Sequence, residues 1–446
     1  MRTTRSRLSA VAATALLASL AACGNSADGS SDSDAQAPVD GPISGAITVW
    51  TWDGAPGADA MDALAAGFEK ETGVKVDSKV VSRDDYTAQV QLALNSGENI
   101  DVLGVQPSQF ATEVEPKMRP VSDYADQLAG GLDGYSPLTI EQSKKLYGGD
   151  DIYSVPFGST GSAVCFYNAD ILDKAGVQPP ATWDDVKALT EALQQKEPGV
   201  LTLVKPSGSD SWFEDEFVLT MVGQTDPGFF DSVRYDDGAW NTDSYVSALQ
   251  RYGQLYADGT LQRSALDLSY TDAMDAFNTG KAAIVCNGSW EAGMLKKSFR
   301  QENGIKASEI GVIPVPSDDA ADRSARSFLD ITWGIPKAAD NASAAAAFIS
   351  YATQGDGVDL WADNLGFVPA KADWSLDPSV LGDDKLAQQG FATIQDLINN
   401  PSSDRNNLSS LSAEVGKYVE EVAQGRMDAQ DAADKGQKDL ESGLYN

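Results

Sequence analysis

The sequence predicts an α/β protein in which helices cover both faces of mostly parallel sheets. Two observations predict this class: strand-like apolar runs alternate with helical segments from residue 45 onward, and 42% of the residues are apolar. A chain of 446 residues is also long enough for two or three domains.

The first elements show the alternation most clearly. Ala46–Trp52 is predicted as a strand and Ala58–Thr72 as a helix, which Gly73 ends because glycine readily adopts the left-handed conformation that closes helices. The elements predicted next are the strand Val74–Val81, the helix Asp84–Leu94 and the short buried strand Ile100–Val105.

The same pattern continues through the rest of the chain. Thr182 is predicted to cap a helix, because its hydroxyl can accept from the backbone while Asp185, three residues later, completes a capping box. The other predicted elements are the strands Ala163–Tyr167, Ala282–Cys286 and Ile331–Ile335, the helices Thr271–Asn278 and Ser343–Thr353, a helix capped by Ser289, and helices over the last ~50 residues.

Composition excludes several kinds of chemistry. The chain contains no histidine, which excludes Ser-His-Asp and Cys-His nucleophile pairs and histidine-ligated zinc. A formal net charge of -33 argues against binding to nucleic acid or to an anionic membrane surface. The acidic groups Asp150-Asp151 and Asp318–Asp322 lack the spacing of a calcium loop, and no glycine-rich phosphate loop is present, so neither a metal nor a cofactor is expected.

The N-terminus has the pattern of an export signal. Basic residues precede a short apolar run, and residues 1–22 are therefore predicted to be a signal peptide. The ending Leu20-Ala21-Ala22-Cys23 resembles the bacterial lipobox, which implies cleavage before Cys23 and lipidation of its sulfur; an ordinary secretory signal with a chance cysteine is the alternative. Residues 23–43 are then the lipidated cysteine and a flexible tether on the extracytoplasmic face of a bacterial membrane.

Two further cysteines lie in apolar, strand-like runs. In an extracytoplasmic compartment Cys165 and Cys286 can form a disulfide. The alternative is a pair of buried free thiols that pack as small apolar side chains.

Several short segments occur in an order that one known family shares. They are Ile47–Trp52, Ile100-Asp101-Val102, Tyr153–Pro156 with Phe166-Tyr167-Asn168, Gly176 with Pro180 and Thr182-Trp183, and Phe277 with Gly280–Ile284 and Gly288-Ser289-Trp290. Together they resemble the sugar-binding lipoproteins of ABC importers, the extracellular solute-binding family that includes the maltodextrin-binding proteins. Asn99-Ile100 and Ala283-Ile284 depart from the family's usual residues, Pro in the first segment and Ala-Met in the second.

The resemblance implies a two-lobe periplasmic-binding-protein fold of type II (Venus flytrap). Lobe 1 is predicted to contain residues 44–156 and 315–368, and lobe 2 residues 157–314 and 369–446. The chain would cross between them three times, near Val155–Gly158, Gly311–Pro316 and Phe367–Ala370. Ligands of such folds bind in the crevice between the lobes, which closes by a hinge motion.

Sugar binding requires aromatic faces for the C–H side of a ring and polar groups for its hydroxyls. Such residues occur at predicted strand ends, in a polar aromatic loop around Trp212, and in the Gly288-Ser289-Trp290 motif, where the family places an aromatic ring against the sugar. Trp183 resembles a structural residue of the family and is left out. The predicted ligand contacts are Trp52, Asp53, Tyr86, Gln106, Phe157, Trp212, Glu214, Trp290, Glu291, Asp330, Trp333, Trp361 and Asn364.

The predicted function is therefore that of a monomeric, non-enzymatic receptor for a carbohydrate, most simply an oligosaccharide, which it delivers to the permease subunits of an ABC transporter. Two alternatives remain at this point. A polyamine or peptide receptor of the same fold fits the acidic composition, and a secreted glycosidase needs only two carboxylates at a suitable separation.

Overall fold

The computed structural model describes residues 36–53, 56–405 and 409–443. The predicted signal peptide, Cys23 and residues 24–35 of the predicted tether lie outside the described residues. Within the part of the chain that is described, no helix is both long enough and apolar enough to cross a membrane.

Eleven strands are present among the described residues. They are β1 (Ala46–Trp52), β2 (Lys75–Val81), β3 (Val102–Val105), β4 (Val155–Ser162), β5 (Val164–Asn168), β6 (Leu201–Val204), β7 (Ala282–Asn287), β8 (Ile310–Ile313), β9 (Arg326–Gly334), β10 (Val368–Pro369) and β11 (Ser403–Asp404).

Sixteen α-helices are present in the same residues. They are α1 (Ala58–Thr72), α2 (Arg83–Ser96), α3 (Gln109–Val114), α4 (Pro137–Tyr147), α5 (Ala169–Ala175), α6 (Trp183–Lys196), α7 (Trp212–Gly223), α8 (Phe229–Tyr235), α9 (Asp243–Ala257), α10 (Tyr270–Asn278), α11 (Lys297–Glu302), α12 (Ala342–Thr353), α13 (Val358–Ala362), α14 (Lys385–Asn399), α15 (Ser409–Ala423) and α16 (Ala429–Ser442). Short 3-10 helices lie at Glu115–Lys117, Val121–Asp123, Ala125–Gln127, Gly131–Gly134, Gly208–Asp210, Arg263–Ala265, Ser289–Leu295 and Pro378–Val380.

The strands form two sheets. The large sheet has seven strands in the order β10-β4-β9-β3-β1-β2, with β11 paired to β9. The small sheet has four strands in the order β6-β7-β5-β8. Helices connect β1, β2 and β3, and both β2 and β3 pair parallel with β1.

The expectation of mostly parallel sheets is wrong. Five of the nine strand pairings among the described residues are antiparallel, and these pairings involve β9, β5 and β10. A parallel neighbour requires a crossover of a dozen or more residues, usually a helix. β5 instead follows β4, and β9 follows β8, with no α-helix between them, and each of these pairs of consecutive strands lies in two different sheets. Without a helical crossover, β5 and β9 run antiparallel to neighbouring strands of their sheet.

Local sequence determines several element ends as predicted. Helix α1 spans the predicted residues and ends at Gly73, whose φ of 77° is left-handed. At the start of α6, Thr182 and Asp185 form the predicted capping box. Ser289 does not cap a helix; its hydroxyl accepts from the backbone N–H of Gly161 in β4, 3.0 Å away.

Each sheet packs against its own apolar side chains. Around the large sheet, the ring of Phe157 stacks on Trp361 with centroids 4.1 Å apart and lies 4.7 Å from Trp333. Around the small sheet, Trp183 is buried at the start of α6, in agreement with the structural role predicted for it. Cys165 and Cys286 lie opposite each other in β5 and β7 and are joined in a disulfide.

The first passage between the sheets lies later in the chain than predicted. β4 remains paired with β9 as far as Ser162, beyond the predicted Val155–Gly158, and β5 begins at Val164. Between them Ala163 has a φ of 57°, a conformation that residues with a Cβ rarely adopt. The fully buried pair of Arg326 and Glu216, 3.4 Å apart, links β9 to α7 beside this passage, and Ser162 donates to the same carboxylate.

Candidate functional site

The Gly288-Ser289-Trp290 motif follows the last residue of β7 and begins a 3-10 helix. The indole of Trp290 folds back onto Gly288, where a Cβ would lie only 2.2 Å from the ring. Glycine is therefore required at this position by the close approach of the indole rather than by its backbone angles. The bond from Gly161 to Ser289 attaches the motif to β4 of the large sheet.

Tyr270 connects the two polar groups of this motif. Its hydroxyl accepts from Nε1 of Trp290 at 2.8 Å and donates to the carboxylate of Glu291. Burial raises the pKa of Glu291 above its ordinary value, and the hydrogen bond from Tyr270 opposes that rise. The network fixes the orientation of the Trp290 indole and leaves Glu291 half-buried.

A second indole lies beside the first. Trp212, the first residue of α7, has its ring centroid 6.3 Å from that of Trp290, with the planes inclined by 42°. Both side chains are half-buried. The pair forms a partly exposed apolar surface with polar groups at its margin.

Charged side chains border this aromatic surface. The guanidinium of Arg405 lies 5.1 Å from the ring centroid of Trp290 and 5.9 Å from that of Trp212. Its Nη1 donates to Asp330 of β9 at 3.3 Å and to Thr160 of β4 at 3.1 Å. The cluster therefore combines residues of the large sheet with residues that pack around the small sheet.

Four of the predicted ligand contacts come together here: Trp212, Trp290, Glu291 and Asp330. Asp53, Gln106 and Asn364 are exposed or half-buried, and among the described residues none of their side chains hydrogen-bonds to Trp212 or Trp290. Asp53 accepts from the backbone N–H of Arg83 at 3.2 Å. Near Asn364, Gly366 lies against the backbone of Trp290.

The other six predicted contacts have buried side chains. Glu214 is fully buried in an ion pair with Lys205, and Tyr86 donates to the backbone oxygens of Trp50 and Gly104. The remaining four pack in the core of the large sheet: Trp52, Phe157, Trp333 and Trp361. Their contact with a ligand stays a prediction, but the burial favours a packing role for each. Strands covered on both faces bury the residues of both faces, so alternation along the strand cannot separate core from site.

Sequence reasoning missed three members of the cluster: Thr160, Tyr270 and Arg405. For Tyr270 the sequence does contain a signal, because Ser269 is a typical helix N-cap residue and Tyr270 is the first residue of the helix α10 that it caps. Arg405 and Thr160 carry no such signal, because they meet Asp330 only through strand pairings between distant parts of the chain.

Within the described ranges, no group of three or more acidic or cysteine side chains is placed to hold a metal ion.

Replacing Tyr270 with phenylalanine is expected to raise the pKa of Glu291 further, because the hydrogen bond that lowers it is lost. The pKa of Glu291 is higher in the folded protein than in the unfolded chain. As the pH rises from the unfolded-state pKa through the folded-state pKa, ionisation of Glu291 therefore lowers the free energy of unfolding. A pH titration of tryptophan fluorescence measures the shift. Glu291→Gln identifies the transition by abolishing it, and an unchanged midpoint in Tyr270→Phe would contradict the assignment.

Comparison with known proteins gives consistent matches. A family model described as bacterial extracellular solute-binding protein matches residues 63–388. The arabinooligosaccharide-binding protein of Bacillus subtilis (strain 168) is 25% identical over 342 residues, which are 74% of this chain and 74% of that protein.

Two solved structures have the same fold at low identity. One is the GacH receptor of Streptomyces glaucescens GLA.O, which was solved unliganded and with acarbose or an acarbose homolog. Its TM-score is 0.69 at 20% sequence identity, and the match covers 91% of this chain and 99% of the GacH chain. The other is the cyclic alpha-maltosyl-1,6-maltose binding protein of Arthrobacter globiformis, with a TM-score of 0.69 at 20% sequence identity. That match covers 91% of this chain and 100% of the Arthrobacter chain. The predicted two-lobe α/β fold is thereby confirmed.

Proposed function

The chain belongs to the family of bacterial extracellular solute-binding proteins, and from this premise we propose that it is the substrate-binding lipoprotein of an ABC importer for an oligosaccharide. In this role it works outside the cytoplasm, encloses the saccharide between its two lobes as a monomer, and delivers it unchanged to membrane permease subunits.

The paired indoles of Trp212 and Trp290 carry the proposal. An indole face packs well against the C–H face of a pyranose or furanose ring, and polar groups at the margin satisfy the hydroxyls. Here that margin contains Glu291, Asp330 and Arg405. Two rings 6.3 Å apart and inclined to each other can contact successive residues of a saccharide, which favours an oligosaccharide over a monosaccharide.

The relatives support the same class of ligand. The Bacillus protein is named for arabinooligosaccharides, and another relative from that organism is named for melibiose, raffinose and stachyose. The structural neighbours were solved with, or named for, oligosaccharides and acarbose. These names belong to those proteins, and they make a neutral glycan the first class to test here.

The alternative ligands and activities fit the cluster less well. A polyamine would have to approach indoles that already lie beside the guanidinium of Arg405. A glycosidase requires an acid and a second free carboxylate, whereas Asp330 is paired with Arg405. The cluster therefore favours binding without bond cleavage.

A ligand screen tests the proposal. We expect raffinose, maltotriose or arabinotriose to raise the unfolding temperature of the protein, and native mass spectrometry to recover the sugar intact. Spermidine serves as the cationic probe. Stabilisation by spermidine alone, or the appearance of shorter sugars, would overturn the proposal in favour of a polyamine receptor or a glycosidase.

We propose also that Cys23 carries the lipid that anchors the protein, with residues 24–43 as its tether. Two or more acyl chains hold a protein stably at a membrane, whereas the polar tether alone has no affinity for lipid. In a bacterial host the full-length protein is expected in the membrane fraction and Cys23→Ala in the soluble fraction. Equal membrane association of both forms would contradict the anchor.

A further inference from the structure

We propose that Arg405 and Asp330 together recognise two neighbouring hydroxyl groups of an uncharged sugar ring that packs on Trp290. The inference rests on the proposed function and adds the residues that select the ligand's charge. Arg405 acts as the hydrogen-bond donor and Asp330 as the acceptor of a single paired site.

The backbone places Arg405 beside Asp330. β11 pairs with the start of β9, with Asp404 opposite Ser327, and the N–H of Arg405 continues this ladder by donating to the carbonyl of Ser327 at 3.0 Å. Asp330 lies three residues further along β9. Both residues are thus held by the same sheet, so their separation does not depend on a flexible surface loop.

The contacts of the guanidinium leave part of it available. Nη1 donates to Asp330 and Thr160 at 3.3 and 3.1 Å, both longer than the 2.7–2.9 Å typical of strong charge-assisted bonds. Nε is buried and has no hydrogen-bond partner among the described residues, so only the terminal nitrogens of the guanidinium remain for a ligand. The side chains of Arg405 and Asp330 nevertheless remain 21% and 32% exposed, so a ligand hydroxyl can reach both.

A vicinal diol complements this arrangement. One hydroxyl oxygen can accept a hydrogen bond from the guanidinium while the neighbouring hydroxyl donates one to the carboxylate. The C–H groups of the sugar ring then face the indole. The nearness of the guanidinium to both indoles places these polar contacts at the margin of the stacking surface.

The paired charges also discriminate against charged ligands. A sugar carboxylate would be repelled by Asp330, and a sugar ammonium by Arg405, while a neutral ring edge satisfies both groups. The charges of Arg405 and Asp330 therefore cancel at the site, although the whole chain carries a net charge of -33.

Two conservative variants test the pair. Arg405→Lys keeps the charge but loses the planar set of donors, and Asp330→Asn keeps the size but loses the negative charge. By calorimetric titration with raffinose, maltotriose and arabinotriose, each variant is expected to bind at least about tenfold more weakly than the wild type. Trigalacturonic acid is the anionic probe, and Asp330→Asn is expected to bind it more tightly than the wild type does.

Two further variants complete the test, one control away from the cluster and one milder change within it. Arg251→Lys alters an ion pair with Asp318 on the surface that takes no part in the cluster, and its affinity should stay within about twofold of the wild type. Thr160→Val removes a partner of Arg405 with little change in volume, so it too is expected to weaken binding, and it tests the pair if Arg405→Lys or Asp330→Asn fails to fold.

The outcomes separate this inference from the proposed function. If the wild type binds one of the three neutral sugars and the cluster variants bind it equally well, the diol site is wrong and the receptor role stands. Loss of neutral-sugar binding together with a gain for trigalacturonic acid in Asp330→Asn supports the site. If the wild type binds none of the three, both proposals fail.

Discussion

Trp290→Ala is expected to weaken oligosaccharide binding at least about thirtyfold, or about 2 kcal/mol, as for other aromatic anchors of binding sites. The indole supplies a large part of the stacking surface, and it is already oriented by Tyr270 and by its contact with Gly288. Because the side chain is only half-buried, its loss should change the unfolding temperature of the ligand-free protein by no more than about a few degrees.

The affinity is measured by calorimetry with the neutral sugar that stabilises the wild type. Trp374→Ala is the matched control, since Trp374 is also half-buried but donates to Asp359 and packs on Phe391, apart from the paired indoles. A large fall in the unfolding temperature of Trp290→Ala with unchanged affinity would show that Trp290 serves the core instead of the ligand.

Lys205→Met is expected to lower the free energy of unfolding by about 3–5 kcal/mol, because it leaves the carboxylate of Glu214 buried without its cation. Glu214 is fully buried and accepts hydrogen bonds from Ser207 and Tyr252 as well as from Lys205. Burial lowers the pKa of Lys205, and the carboxylate of Glu214 opposes that change, so Glu214 helps Lys205 to keep its charge.

Urea unfolding measures the effect. The double variant Lys205→Met/Glu214→Gln removes both charges and should recover much of the lost stability. Arg323→Met breaks an exposed pair with Asp396 and should cost no more than about 1 kcal/mol. A change that small in Lys205→Met would contradict the buried pair. Sugar binding by Glu214→Gln also tests the ligand contact predicted for Glu214.

The sequence predicts best those features that depend on neighbouring residues. The end of α1 at Gly73 and the capping box of Thr182 follow from local backbone preferences and hydrogen bonds. The Trp290 motif is also local, since Gly288 makes room for the indole two residues later. For these features, the order of residues contains most of the physical information.

Several features that depend on pairing between distant segments could not be predicted. Glu214 follows Trp212 in what the sequence presents as a polar loop, yet both residues lie in α7, whose residues from Phe213 onward are buried on all sides. Arg405 meets Asp330 through the alignment of β11 with the start of β9, and the sequence predicts no strand in either of these two segments. The sequence around a carboxylate or a tryptophan does not show whether the side chain lies in the core or in a binding site.

The left-handed φ of Ala163, 57°, is held from both sides, because Ser162 before it pairs with β9 and Val164 after it pairs with β7. This conformation costs a residue with a Cβ about 1 kcal/mol or more, and it persists only where the surrounding structure imposes it. The two sheets therefore share one strained residue. Any relative movement of the sheets at this passage has to change the backbone angles of Ala163 or of its immediate neighbours.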